Sequence, residues 1–186
     1  MKVKIKSLKF AQALVGQTVP PSAGGYAGRA AENMLNSMGV RINRGHGPDI
    51  LGIGTEVKTR DLNSTSPQTV ADMTLEEILS TPYEQSHVFE KIQRQLRIYI
   101  KENVIVSAEF YDFSSQNIQD KIKKAYNHAQ AQLIANPNLV ATSARGNFFG
   151  YFEKCSGKTS YSFRMTDHHY QVLEAMSRST FNKFFD

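Results

Sequence analysis

Apolar residues recur along this chain at two different periods, and the change from one to the other predicts a mixed α/β protein. Met1-Lys-Val-Lys-Ile-Lys6 alternates strictly and reads as a strand with Lys2, Lys4 and Lys6 on one face. After a loop at 19–25, residues 26–38 read as an Ala-rich helix with a stripe of Ala27, Ala30, Ala31, Met34, Leu35 and Met38, closed by Gly39. A short strand or turn at 49–51, a strand at 55–60, a polar loop at 61–67 and a strand at 69–73 follow. Thr74-Leu-Glu-Glu77 has the form of a capping box. Thr81-Pro82-Tyr83-Glu84 repeats it and predicts a second helix running to about Leu96, with Val88, Ile92 and Leu96 on one face and Glu84 as a capping residue. Strands at 97–101 and 104–111 flank Glu102-Asn103. Residues 115–135 read as a long amphipathic helix burying Ile118, Ile122, Ala125, Tyr126, Ala129 and Leu133, stopped by Asn136-Pro137-Asn138. A hairpin of 147–153 and 159–164 around Ser156-Gly157, and a helix starting at Thr166 or Asp167, complete a domain with a central sheet.

Composition narrows the class without deciding it. At 186 residues and 40% hydrophobic residues, the chain suits one soluble domain with a substantial core. Its one cysteine, Cys155, excludes an internal disulfide and argues against a cysteine zinc site. No apolar run is long enough for a membrane helix, and the basic N-terminus lacks the pattern of a signal peptide, so the expected location is cytoplasmic with no membrane partner. The net charge of +5 permits nucleic-acid binding.

The chemistry concentrates in Asp49-Ile-Leu-Gly-Ile-Gly-Thr-Glu56-Val-Lys58-Thr59. On a strand Glu56 and Lys58 share a face, and Val57 points to the other. Gly52-Ile53-Gly54 lets the chain turn and brings Asp49 back beside Glu56. Two carboxylates side by side repel and commonly hold a hard cation such as Mg²⁺. A lysine beside them can steady an attacking water or the charge that builds up at a phosphodiester. Arg44, His46 and Arg60 flank the segment and suit a DNA polyanion.

Three segments in order carry a resemblance. Gly25-Tyr26-Ala27-Gly28-Arg29-Ala30-Ala31-Glu32 has the form Gly-aromatic-x-Gly-x-x-x-Glu. Asp49 to Thr59 has the form Asp-x6-Glu-[Val/Leu]-Lys-Thr, and Tyr83 to Lys91 the form aromatic-Glu-x-Ser-His-Val-x-x-Lys. Together they resemble the MutH family of nicking endonucleases and related restriction enzymes, within the PD-(D/E)xK class, over roughly residues 25–101. The resemblance implies a restriction-endonuclease-like mixed central β-sheet flanked by helices, spanning 1–186 as one nuclease domain. It implies Asp49 and Glu56 as ligands of Mg²⁺, Lys58 as the catalytic lysine and Glu32 as a further carboxylate at the metal. It also implies the Val57 carbonyl as a metal ligand and Lys91 as a second lysine directed at the site.

Size and layout are similar to the small cleavage subunits of heterodimeric type IIS restriction endonucleases. There a large subunit reads double-stranded DNA and cuts one strand while the small subunit cuts the other. The alternatives are a self-sufficient nicking enzyme or homodimeric restriction enzyme, reading bases with 144–149 or 63–68, and a non-catalytic DNA-binding subunit. Other residues have plainer expectations. His87 reads as a core or supporting histidine, His168-His169 lacks ligand spacing, Cys155 has no partner that would activate it, and Lys154, Lys158 and Arg164 are equally a phosphate-facing or a solvated hairpin.

Overall fold

The two periods sort the described residues into twelve α-helices and β-strands, beside two 3₁₀ turns. They are α1 (Leu8–Leu14), α2 (Ala27–Ser37), β1 (Glu56–Asp61), β2 (Gln68–Thr74), α3 (Leu75–Ser80), α4 (His87–Ile92), β3 (Arg94–Lys101), β4 (Val104–Asp112), α5 (Gln116–Ala135), β5 (Tyr151–Lys154), β6 (Ser160–Met165) and α6 (Asp167–Phe185). The computed structural model describes residues 8–19, 27–143 and 148–185. The strand expected at the N-terminus, the loop after Val19, and Gly25 and Tyr26 of the first motif lie outside the described residues, as do 144–147. The class is mixed α/β, as the periods predict. The six strands divide between two three-stranded sheets, β1-β3-β4 and β2-β6-β5.

The backbone falls into two compact units. The first is built from the described parts of Met1–Thr65, Arg94–Asp112 and Ser177–Asp186. Its sheet is mixed, with β1 parallel to β3 and β3 antiparallel to β4. Leu96, Ile98 and Ile100 of β3, with Ile105, Ala108 and Phe110 of β4, form its apolar face. Ala11 and Leu14 of α1 and Ala31 and Leu35 of α2 close over that face. Glu102 and Asn103 join β3 to β4 with φ of 50° and 64°, the left-handed pair a tight hairpin needs. After α1 the chain runs beside β4, where Gly16 N–H donates to Ile105 O at 2.8 Å and Val19 N–H to Asn103 O at 2.7 Å.

The second unit comprises Ser66–Gln93 and the described part of Phe113–Met176. Its sheet is antiparallel throughout. α5 buries the six residues its stripe predicts, together with Gln119, which accepts from the Tyr83 hydroxyl at 2.6 Å. The capping box at α3 is formed in both directions, by Glu77 N–H to Thr74 Oγ1 and Thr74 N–H to Glu77 Oε2.

One expected helix is divided. Thr81-Pro82 opens only a 3₁₀ turn, Tyr83–Gln85. Ser86 is the true cap of α4, accepting from Phe89 N–H at 3.1 Å. The chain then leaves the helix after Ile92, and Leu96 is a strand residue. Glu84 does not cap; it pairs with Lys123 of α5, whose hydrogen bond holds its carboxyl below the usual range. His87 is exposed rather than buried, with Nε2 3.7 Å from Glu77 Oε1. No described helix is long and apolar enough to cross a membrane.

Candidate active site

The turn before β1 is built as its glycines require. Ile50 and Thr55 pair across it, with N–H to carbonyl distances of 2.8 and 3.1 Å. Gly54 sits at φ 58°, ψ 40°, a left-handed conformation that closes the 3₁₀ turn Leu51–Ile53. The reversal carries Asp49 to the edge of β1 away from β3, where its Oδ2 accepts from Val57 N–H at 2.8 Å. The N–H and carbonyl of one strand residue point to the same side. The Val57 carbonyl therefore faces the same edge, away from β3. The Val57 side chain enters the core.

Glu56 and Lys58 share the opposite face, as alternation predicts. Lys58 Nζ lies 3.4 Å from Glu56 Oε1, and the glutamate side chain is only 7% exposed. A carboxylate this deep is costly without compensation. The parallel register sets Gln95 beside Glu56 and Arg97 beside Lys58. Both β3 residues are buried, and Arg97 donates to Gln95 Oε1 at 2.9 Å and to the Tyr99 hydroxyl at 3.2 Å. Gln95 falls inside the helix expected to Leu96 and Arg97 opens the strand expected at 97–101, and neither is among the expected site residues. Their signal is present: Gln-x-Arg-x-Tyr alternates with Leu-x-Ile-x-Ile.

Glu32 comes from α2, which packs on β1. A Cβ on Gly28 would meet Thr59 Oγ1 at 3.3 Å, so a glycine here allows the close approach of helix to strand. Burial, reinforced by Asp49 and opposed by Arg44, with smaller effects from Glu56 and Arg29, holds the Glu32 carboxyl above its ordinary value near 4.5. Glu32 and Asp49 line an open cleft of about 600 Å³ with Arg29, Asn33, Asn43 and Arg44. Asn43 organises this rim, donating through Nδ2 to His46 O at 2.9 Å and accepting from Gly45 N–H at 3.1 Å. Arg29, one helical turn before Glu32, is a cleft residue that the sequence reading passed over.

The expected site residues thus divide. Glu32, Asp49, Glu56, Val57, Lys58 and Arg44 all belong to the first unit, and the carboxylates act on one another there. His46 is exposed on the same loop, outside the cleft lining. Arg60 is buried and directed at the following turn, donating to Ser64 Oγ at 3.3 Å and Ser64 O at 3.1 Å. A strand-end arginine spent on its own loop is not presented to a phosphate. Lys91 lies in the last turn of α4, in the second unit, and so is not part of the cluster the first unit builds by itself.

The donor set suits a hard divalent cation. Every candidate ligand is an oxygen, and the Glu32 carboxyl is raised first by burial and then by the Asp49 and Glu56 charges, all of which a cation would offset. Among the described residues no three of His, Cys, Asp and Glu form a ready-made metal cage. Mg²⁺ does not require one, because it keeps several waters and takes one or two carboxylates.

No family model matches this chain, and no curated protein is significantly similar to it.

The electrostatics yield a prediction with a definite sign. A carboxyl with a raised folded value disfavours the charged fold, so Glu32 costs stability at neutral pH, and the cost fades as pH falls through its raised value toward 4.5. Glu32→Gln should therefore raise the melting temperature of the metal-free protein at pH 7. The gain should vanish below about pH 4, where the carboxyl is protonated in both states. Calorimetry at the two pH values checks it.

Proposed function

We propose that the chain is a Mg²⁺-dependent DNA endonuclease of the MutH-like PD-(D/E)xK type, and that it acts as the small cleavage subunit of a heterodimeric type IIS restriction endonuclease. The observation that carries the reading is the return of Asp49 to the Val57 N–H, which puts its carboxylate beside the strand bearing Glu56 and Lys58.

Asp49 and Glu56 would hold the cation, with Glu32 and the Val57 carbonyl as further oxygen donors. When bound, Mg²⁺ supplies Lewis acidity at the phosphate and acidifies the attacking water. The residues supply the rest. Val57 N–H fixes one oxygen of Asp49 and leaves the other directed elsewhere. Lys58, partly buried, holds an ammonium where negative charge builds during attack, and low local dielectric strengthens its effect. Arg29 and Arg44 give the cleft its cationic rim, suited to the phosphates on either side of the scissile bond.

The subunit reading is supported by the layout of these 186 residues, in which Glu32, Asp49, Glu56 and Lys58 all lie in the first unit and the second unit is of modest size. It predicts that the purified chain with Mg²⁺ leaves supercoiled plasmid essentially intact. Second-strand cutting at a fixed position should appear when the large subunit encoded by a neighbouring gene is added. Robust site-specific cutting by the chain alone would overturn the subunit reading and favour a self-sufficient nicking enzyme.

A further inference from the structure

The second unit carries a cationic surface that the cutting site does not use. Lys121 and Lys124 are exposed on α5, three residues apart and so neighbours on one helix face. Neither has a carboxylate partner among the described residues. Each instead lies over an aromatic ring, with Lys121 Nζ 5.3 Å from the Phe149 centroid and Lys124 Nζ 5.7 Å from that of Phe148. Phe148 is itself stacked flat on His128, with centroids 4.0 Å apart and planes within 3°. Phe149 packs on His169 of α6 at 4.6 Å. Beside the lysines runs an open groove of about 440 Å³, bordered also by Asn117, Asp120 and Met176.

We infer that this face is a second DNA contact, which takes the phosphate backbone of a duplex independently of its base sequence. The inference rests on the nuclease reading above. A free lysine loses much rotamer entropy when it is held against a phosphate. The ring contacts restrict both side chains in advance, which lowers that cost. Asp120, the one acid among the described residues that border the groove, is hydrogen-bonded by Gln116 Nε2 at 2.6 Å. A protein partner is the poorer fit. Interfaces between proteins have an apolar, charge-depleted centre. Among the described residues of the second unit, the exposed large aliphatic residues Leu79, Ile134 and Val140 do not border this groove.

The test is a fluorescence-anisotropy titration of a labelled duplex, in Ca²⁺ to prevent cleavage, over a range of KCl concentrations. The wild type, Lys121→Glu/Lys124→Glu, Phe148→Ala and Glu56→Gln are compared, with melting temperatures as a check on folding. The double variant should bind roughly tenfold or more weakly at low salt, equally for unrelated sequences. Its salt slope should fall by about 2, near 0.9 for each phosphate that is no longer neutralised. Phe148→Ala, which keeps both charges, should lose affinity without losing slope. Glu56→Gln should lose cleavage and keep the wild-type slope. An unchanged slope in the double variant, with DNA binding otherwise intact, overturns the surface and leaves the nuclease reading standing. Loss of large-subunit association with unchanged DNA binding also overturns it, assigning the face to protein. A wild-type chain that neither binds nor cuts DNA under any of these conditions removes both.

Discussion

Glu56→Gln and Asp49→Asn should each lower Mg²⁺-dependent strand cutting by at least about a thousandfold, the upper range for removing one preorganised electrostatic contact, and do so in a folded protein. The substitutions are chosen so that shape survives. Glutamine retains the volume of a side chain that is 7% exposed, and asparagine retains an oxygen for the Val57 N–H. Asp49→Ala is a harsher change, since it leaves that N–H without its acceptor at an added cost of about 1–3 kcal/mol. Lys58→Met should match the carboxylate variants in rate and exceed them in instability, because it strips Glu56 of a neighbouring cation while leaving the buried charge in place. Single-turnover cleavage rates, read beside thermal melts, separate the two effects. Cutting by Glu56→Gln at even a tenth of the wild-type rate would sink the catalytic assignment.

The largest stability effect is expected in the second unit. Gly150 has φ 139°, and a Cβ there would lie 2.3 Å from Cζ and 2.4 Å from Cε1 of Phe163. That ring cannot retreat easily. It is fully buried, 5.1 Å from the Phe152 ring and 6.3 Å from that of Tyr126. Gly150→Ala combines backbone strain of about 1–3 kcal/mol with overpacking of a similar size. Against a usual total of about 5–15 kcal/mol, this should lower the melting temperature by on the order of 10 °C. Gly28→Ala meets only a rotatable hydroxyl at 3.3 Å and should be far milder. Equal effects of the two substitutions in a thermal melt would show that the approach to Phe163 is not what Gly150 protects.

Local patterns were legible where one segment decides its own structure. The stripe of α5, the capping box at Thr74, the Glu102-Asn103 connection between two strands and the glycine turn before β1 are all present as read. The divided helix shows how a stripe misleads. Val88, Ile92 and Leu96 keep a helical spacing across a helix end, while Leu96, Ile98 and Ile100 alternate as a strand. Both periods fit Leu96, and the pairing of β3 with β1 and β4 decides between them. That pairing is non-local, as is the division of six strands between two sheets, so neither could be read from short windows. In the site, alternation put Glu56 and Lys58 on one face, and the glycines brought Asp49 back. Arg60 was read from charge alone, and its burial against Ser64 depends on the loop that follows.

The proposed chemistry depends throughout on a divalent cation being held by Asp49 and Glu56. A protein that binds a cation only when folded is stabilised by it in proportion to occupancy. Thermal melts in rising Mg²⁺ or Mn²⁺, without DNA, therefore test the claim apart from any partner or substrate. The melting temperature of the wild type should climb with cation concentration, and that of Asp49→Asn/Glu56→Gln should stay level. A rise of the same size in both proteins, or none in the wild type up to tens of millimolar, roughly the range in which a weak site fills, would contradict it.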